Sequence, residues 1–103
     1  MTTVLPEVSI AAHFIKIARV DEERLDDALV LLHPVTLELK LLNETATVLW
    51  DALGELPTAE KLASLLSEAR SDLSSADSIA YVAAFLDDLQ AAGFVERQER
   101  APR

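Results

Sequence analysis

Residues 30–53 carry the sequence VLLHPVTLELKLLNETATVLWDAL, in which an apolar run, a turn and an alternating segment lead directly into a helical pattern. The run is apolar throughout up to its last residue, His33, which is typical of a strand covered on both faces in the middle of a sheet. A turn is expected at His33-Pro34. Residues 36–42 then alternate between apolar and polar side chains, which predicts a half-buried strand. The sequence therefore predicts a central strand over 28–33 and an edge strand over 36–42.

The predicted edge strand has two chemically different faces. Its apolar positions are expected to face the core: Leu37, Leu39 and Leu41. Its polar positions are expected to face solvent: Thr36, Glu38 and Lys40.

A further strand is expected before this pair. Residues 13–20, HFIKIARV, are rich in β-branched and aromatic side chains, which favour strands. The acidic stretch 21–27, DEERLDD, lacks the glycine and the ligand spacing of a calcium loop and is interpreted as a solvated connection. The three strands 13–20, 28–33 and 36–42 are thus predicted to form an antiparallel meander.

Three helices are predicted after the strands, near 43–54, 58–70 and 75–92. Residues suited to cap a helix N-terminus stand at each start: Asn43, Thr58 and Ser74. Only two glycines occur, Gly54 and Gly93, and each follows a predicted helix where a left-handed residue is common.

Apolar residues at helical spacing predict the buried face of two helices. In the first helix the stripe is Ala46, Leu49, Trp50 and Leu53, so Trp50 is expected in the core. In the third helix the stripe is Ile79, Val82, Leu86 and Leu89, with Phe85 beside it. The predicted fold class is α+β, a three-stranded antiparallel sheet followed by three helices, like a winged helix-turn-helix with its sheet placed first. Residues 1–10 are expected to form a flexible arm, 11–96 the domain and 97–103 a flexible tail.

Composition narrows the class of protein. The chain has 103 residues, enough for one domain, and no cysteine, so disulfides and thiolate metal sites are not expected. No signal peptide is expected in MTTVLPEVSI, and no apolar run approaches the roughly 20 residues that span a bilayer. A soluble, cytoplasmic protein is expected. The net charge of −9 disfavours nucleic acid and anionic membranes as partners.

No catalytic constellation is recognisable. The two histidines, His13 and His33, have no metal-binding spacing and are interpreted as strand-end or surface residues. No serine lies in a nucleophile elbow, and two glycines cannot make a phosphate loop. We therefore expect neither an enzyme nor a cofactor or metal.

Two functional interpretations of the fold pattern, a DNA-binding protein and an acyl carrier protein, are disfavoured by specific residues. A DNA-binding winged helix would use the third helix for recognition, but that helix contains Asp77, Asp87 and Asp88 and no lysine or arginine. An acyl carrier protein would carry its prosthetic group on a serine such as Ser78 in Asp77-Ser78-Ile79. That tripeptide opens the last helix, where helix capping explains it, and the strand content does not fit a carrier protein.

An open sheet edge beside a helix is suited to capturing an extended peptide, which adds to the sheet as a further strand. The edge would be provided by Thr36, Leu37, Glu38, Leu39, Lys40, Leu41 and Leu42. The groove wall would come from the third helix: Ile79, Val82, Ala83, Leu86, Asp87 and Gln90. Asp87 would favour a basic peptide group. Periodicity alone leaves open the other flank of that helix, with Tyr81, Phe85 and Asp88.

The segment VLLHPVTLELKLLNETATVLWDALGELPTAEKLASLL, followed at a distance by VAAFLDDLQAAGFVE, resembles the PqqD-like family, also called RiPP recognition elements. The resemblance covers roughly residues 28–96 and is carried by packing and capping residues, above all Leu42-Asn43-Glu44-Thr45-Ala46 with Leu49-Trp50. Where the family usually ends its first helix with an aspartate-glycine step, this chain has Gly54-Glu55-Leu56-Pro57.

The resemblance implies binding of the N-terminal leader of a ribosomally made precursor peptide. The leader would lie as a fourth strand on strand 36–42, flanked by the third helix. The partner implied is a RiPP-modifying enzyme such as a radical-SAM protein, a cyclodehydratase or a leader protease. The alternative is an interaction module with a non-leader partner, or a homodimer through the open sheet edge.

Overall fold

The computed structural model describes residues 12–55 and 58–99, which form five strands and three helices. In chain order these are β1 (Ala12–Lys16), β2 (Asp21–Leu25), β3 (Ala28–Leu32), β4 (Leu39–Leu42), α1 (Glu44–Ala52), α2 (Ala59–Ala69), α3 (Ser75–Ala91) and β5 (Val95–Glu99).

The main sheet is antiparallel, with the strand order β2-β3-β4, and the three helices follow it in the chain. The central position predicted for the apolar run is confirmed, since β3 lies between the other two strands. Its residues Leu29 and Leu31 are fully buried and their neighbours are half-buried. The α+β class, with a three-stranded antiparallel sheet and then three helices, is as predicted.

The acidic stretch is a strand, so the prediction of a loop over 21–27 is wrong. β2 pairs with β3 along its whole length, and Asp26-Asp27 form the tight turn between them, with Asp26 at φ +54°. Aspartate tolerates that left-handed conformation, which two-residue hairpin turns require. Every residue of β2 is exposed, so hydrophobic periodicity could not reveal a strand whose pairing depends on backbone hydrogen bonds.

The first strand does not belong to the main sheet, which corrects the predicted meander over 13–20, 28–33 and 36–42. β1 ends at Lys16 and pairs with β5 in a separate two-stranded sheet, with Phe14 opposite Arg97. Residues 97–99, predicted to begin a flexible tail, are therefore paired in β5. Residues 1–11 and 100–103, which include the predicted arm, lie outside the described residues.

The edge strand is shorter than predicted, and its apolar face was assigned to the wrong side. Residues 34–36 form a turn, Leu37 has φ +64°, and β4 begins only at Leu39. Directly opposed residues of an antiparallel pair share a face. Because Lys40 lies opposite Leu31, and Leu42 opposite Leu29, the even positions of β4 face the core. The three leucines predicted to be buried are instead about two-thirds exposed: Leu37 67%, Leu39 65% and Leu41 67%.

His33 fixes the β3–β4 connection and explains this shift. Its ring nitrogen Nδ1 accepts from the backbone N–H groups of Val35 and Thr36 at 3.1 and 3.2 Å. Its Nε2 lies 3.1 Å from the carbonyl oxygen of Gly93, so the proton is required on Nε2. The side chain is nearly fully buried and packs edge-on to Phe94. The histidine thus closes a tight turn that apolar periodicity does not show.

The predicted helix caps are confirmed. Asn43, Thr58 and Ser74 each accept a hydrogen bond from a backbone N–H three residues later. Gly93 has φ +86°, a backbone conformation that strains residues with a side chain, and a Cβ there would also crowd Nε2 of His33 at 3.2 Å. Gly54 has no positive φ, so its predicted left-handed role is wrong.

The core lies between the inner face of the sheet and the helices. Trp50 is fully buried, as predicted. Leu49 is also fully buried, and Leu89 is almost fully buried. Ile79, predicted to be in the buried stripe of α3, is 59% exposed. Its place is taken by Ser78, which is fully buried and accepts a hydrogen bond from the Ser67 hydroxyl at 2.9 Å.

Candidate functional site

β4 is an open edge of the main sheet. It pairs with β3 on one side, and among residues 12–55 and 58–99 no strand pairs with its other side. The N–H of His33 donates to the carbonyl oxygen of Glu38 at 2.9 Å, so residue 38 directs its backbone groups toward β3. Backbone direction alternates along an antiparallel strand. Leu39 and Leu41 therefore direct their N–H and C=O groups to the open edge.

A groove of about 500 Å³ runs between this edge and α3. Its β4 wall is Leu39–Leu42, and Ala46 of α1 contributes to the lining. The residues that α3 contributes are Tyr81, Ala84, Phe85, Asp88 and Leu89. The small side chains of Ala46 and Ala84 leave room between the elements, while Leu42, Phe85 and Leu89 give a buried apolar floor.

Polar contacts close the two ends of the groove. At one end the Lys40 ammonium forms an ion pair with the Asp88 carboxylate, which joins β4 to α3. At the other end the Tyr81 hydroxyl donates to Oδ1 of Asn43 at 3.4 Å, and the same oxygen accepts from the N–H of Ala46 at 2.9 Å. The N-cap of α1 is thereby tied to α3, so the strand, the helix start and the groove wall form one connected unit.

This arrangement has the two properties that strand addition needs. The outward backbone groups of Leu39 and Leu41 are donors and acceptors without a partner strand in the described chain. The adjacent groove can receive alternate side chains of an added strand on one face. An extended peptide could therefore gain main-chain hydrogen bonds from the edge and side-chain contacts from the groove.

The structure brings only some of the predicted site residues to the groove. The residues of 39–42 line it, whereas 36–38 lie in the connection before β4 and are not among the lining residues. Val82 and Leu86 are buried in the core. Asp87 and Gln90 are exposed and outside the lining. The flank that periodicity left as the alternative, with Tyr81, Phe85 and Asp88, is the one that faces the edge.

The choice of flank failed because the buried stripe of a helix does not show which of its two sides faces the sheet edge. Of the predicted stripe, Val82, Leu86 and Leu89 are buried as expected, and only its first position is wrong, because Ser78 is buried in place of Ile79. Positions 81, 84 and 88 lie on the side of the stripe that faces β4, whereas positions 79 and 83 lie on the side that faces α2. Ala84 and Leu89 were not predicted for the groove, and no local sequence signal distinguishes their side of α3 from the other.

Ile79 and Ala83 line a different groove, of about 720 Å³, between α2 and α3. Its other residues belong mostly to α2 and are small or acidic: Ala59, Glu60, Ala63, Ser64, Ser67 and Glu68. It lies on the side of α3 away from the lining that faces β4, so these two residues do not contribute to the edge groove.

Two features are absent from residues 12–55 and 58–99. No helix within residues 12–55 and 58–99 is long and apolar enough to cross a bilayer. Over the same ranges, no group of three or more histidines and acids is arranged to hold a metal ion.

The fold and the groove define a small α+β domain with an open sheet edge beside a helix. The family model described as coenzyme PQQ synthesis protein D (PqqD) matches residues 28–95, more than half of the chain. The chain therefore belongs to the PqqD family. The match begins at β3 and includes every residue that lines the groove.

Two solved structures have the same fold. A structure described as TbiB1 in complex with the TbiA(beta) leader peptide is 22% identical, with a TM-score of 0.72, and the match covers 80% of this chain and 94% of that chain. A structure described as lasso peptide synthetase B1 complexed with the leader peptide is 21% identical, also with a TM-score of 0.72, and the match covers 82% and 98%. No curated protein shows a significant match to the sequence.

Proposed function

We propose that the chain binds the leader segment of a ribosomally synthesised precursor peptide as a strand added to β4, and presents it to a modifying enzyme. The observation that carries the proposal is the position of the groove directly beside the outward backbone groups of β4. Membership of the PqqD family supports it, as do the two structures of this fold that are described as leader-peptide complexes.

The partner enzyme would act on the precursor while this chain holds its leader. Radical-SAM proteins, cyclodehydratases and leader proteases are the candidate classes. We propose no catalytic role for the chain itself, because the groove offers a single ion pair and no nucleophile beside a base. The proposed place of action is the cytoplasm, where ribosomes make the precursor.

A second candidate occupant of the edge is another copy of the chain. The exposure of Leu39 and Leu41, 65% and 67%, favours it, since such side chains gain from burial. The net charge of −9 on each copy opposes it. Light scattering after size exclusion distinguishes the two, because a dimer through the edge would dissociate when a leader peptide binds there.

The test of leader binding uses a candidate precursor, a short open reading frame from the same gene cluster as this chain, split into a fluorescein-labelled leader and a labelled core peptide. Fluorescence anisotropy should show saturable binding of the leader at micromolar or lower concentration. The core peptide and a leader of scrambled sequence should not bind. Equal binding of leader and scrambled leader, or no saturable binding of the leader, would overturn the proposal.

A further inference from the structure

The charged side chains of the groove lie at one end only. Among its lining residues the ionisable groups that carry charge at neutral pH are Lys40 and Asp88, and they are paired with each other. The middle of the groove is apolar, with Leu42 and Phe85 buried, and the far end holds the neutral Tyr81–Asn43 contact. A peptide in the groove would therefore meet a different chemistry at each of its inward positions.

β4 and α3 run in opposite directions along the groove. Lys40 is next to Asp88, whereas Asn43, three residues later, is next to Tyr81, seven residues earlier on the helix. The inward positions of β4 are Lys40 and Leu42, two residues apart. This is also the spacing of successive side chains on one face of an added strand. Two inward peptide side chains would thus lie at the levels of Lys40 and Leu42.

The level of Leu42 selects for an apolar side chain. Leu42 is 4% exposed, Ala46 8% and Phe85 7%, so a polar group placed over them would lose water without gaining a partner. The small side chain of Ala46 leaves space for a peptide side chain above the floor.

The level of Lys40 selects by charge. The Lys40 side chain is 26% exposed and directed into the groove, while Asp88 is 60% exposed and has a carboxylate that can accept further hydrogen bonds. Glu38 is an exposed acid two residues before Lys40, and the whole molecule carries −9. Around this end acids outnumber bases, so a basic peptide group is attracted and an acidic one is repelled.

We propose that the groove selects a peptide strand in which a basic side chain lies two residues from an apolar one. The apolar side chain lies over Leu42 and the basic side chain pairs with Asp88. This inference rests on the proposed function, which it deepens by naming the class of peptide.

The probe is a display library of random 12-residue peptides, selected separately on the wild-type chain, Asp88→Asn and Asp87→Asn. The last is a matched control, since it removes the same charge from the adjacent exposed residue outside the groove. Wild type and Asp87→Asn should enrich lysine or arginine two positions from an apolar residue, and Asp88→Asn should not. In one enriched peptide, Lys→Gln should weaken binding on the order of 10-fold to wild type and to Asp87→Asn, and less than about twofold to Asp88→Asn. Circular dichroism checks that all three are folded.

The outcomes separate this inference from the proposed function. Enriched peptides without the basic position, or a Lys→Gln effect that is equal on Asp88→Asn and wild type, would overturn the inference and leave peptide binding intact. No enrichment on any of the three proteins would count against peptide binding itself. Asp88→Lys reverses the charge of the groove. On this variant the same peptide with Lys→Glu should bind more tightly than its parent peptide.

Discussion

Trp50 joins three parts of the molecule through one side chain. Its indole is fully buried, its Nε1–H donates to the Glu22 carboxylate of β2 at 3.0 Å, and the Lys16 ammonium of β1 lies 4.5 Å from the ring centroid. The aromatic body thus lies in the core while its one polar atom is satisfied by the acidic strand. This contact gives the exposed, charged β2 a defined position on α1.

Trp50→Ala should lower the free energy of unfolding by about 3–5 kcal/mol, because it leaves a large cavity in the core. Val48→Ala, two residues earlier and 42% exposed, is the control and should change it by less than about 1 kcal/mol. Urea denaturation followed by circular dichroism measures both. A Trp50→Ala effect as small as that of the control would contradict the packing described.

Single residues also show where the sequence was insufficient to predict which side chains are buried. Ser78 is fully buried and its hydroxyl is hydrogen-bonded to the Ser67 hydroxyl, but a serine in the sequence gives no signal that it will be buried. Ile79 is apolar and 59% exposed. Placing the hydrophobic residue inside and the hydroxyl outside is the natural prediction, and it is wrong only at this turn of α3, since Val82, Leu86 and Leu89 are buried as expected. A satisfied buried polar pair overrides the binary pattern there.

At the scale of elements, the predictions that depended on local chemistry were confirmed. Helix starts at Asn43, Thr58 and Ser74 need only a side chain and a backbone N–H three residues later. The central strand needs only an apolar run. The pairing of β1 with β5 depends on residues more than 75 positions apart. Which face of β4 is buried depends on the turn that is closed by the contact between His33 and Gly93. Neither contact has a local sequence signal.

The orientation of β4 predicts which proline substitution blocks peptide binding. Leu41 directs its N–H to the open edge, so Leu41→Pro removes a donor that a peptide needs but that β3 does not use. We expect loss of leader binding in the anisotropy titration with the domain still folded.

Two variants control for this change. Leu41→Thr keeps the N–H and loses the apolar side chain, so it should bind the leader much more tightly than Leu41→Pro. Lys40→Pro removes an N–H directed at β3 and should instead lower the stability of the sheet. Full binding by Leu41→Pro would show that the edge of β4 is not used.

At the scale of the whole molecule, charge separates this domain from a DNA-binding winged helix. The net charge is −9, and α3 carries Asp77, Asp87 and Asp88 with no lysine or arginine. Affinity for duplex DNA depends on cations that neutralise phosphates. Anisotropy with a labelled duplex at physiological salt should therefore show no binding. Micromolar affinity that weakens as salt is added would be incompatible with this expectation.

The central claim is that a leader peptide becomes a strand beside β4, and amide hydrogen exchange resolved by residue tests it most directly. The labelled precursor leader is added to the chain, and exchange is compared with and without it. The amides of Leu39 and Leu41 should be protected by the leader, because their N–H groups become donors to the added strand. Protection confined to β2 or α2, with Leu39 and Leu41 exchanging as fast as in the free chain, would contradict strand addition even though the peptide binds.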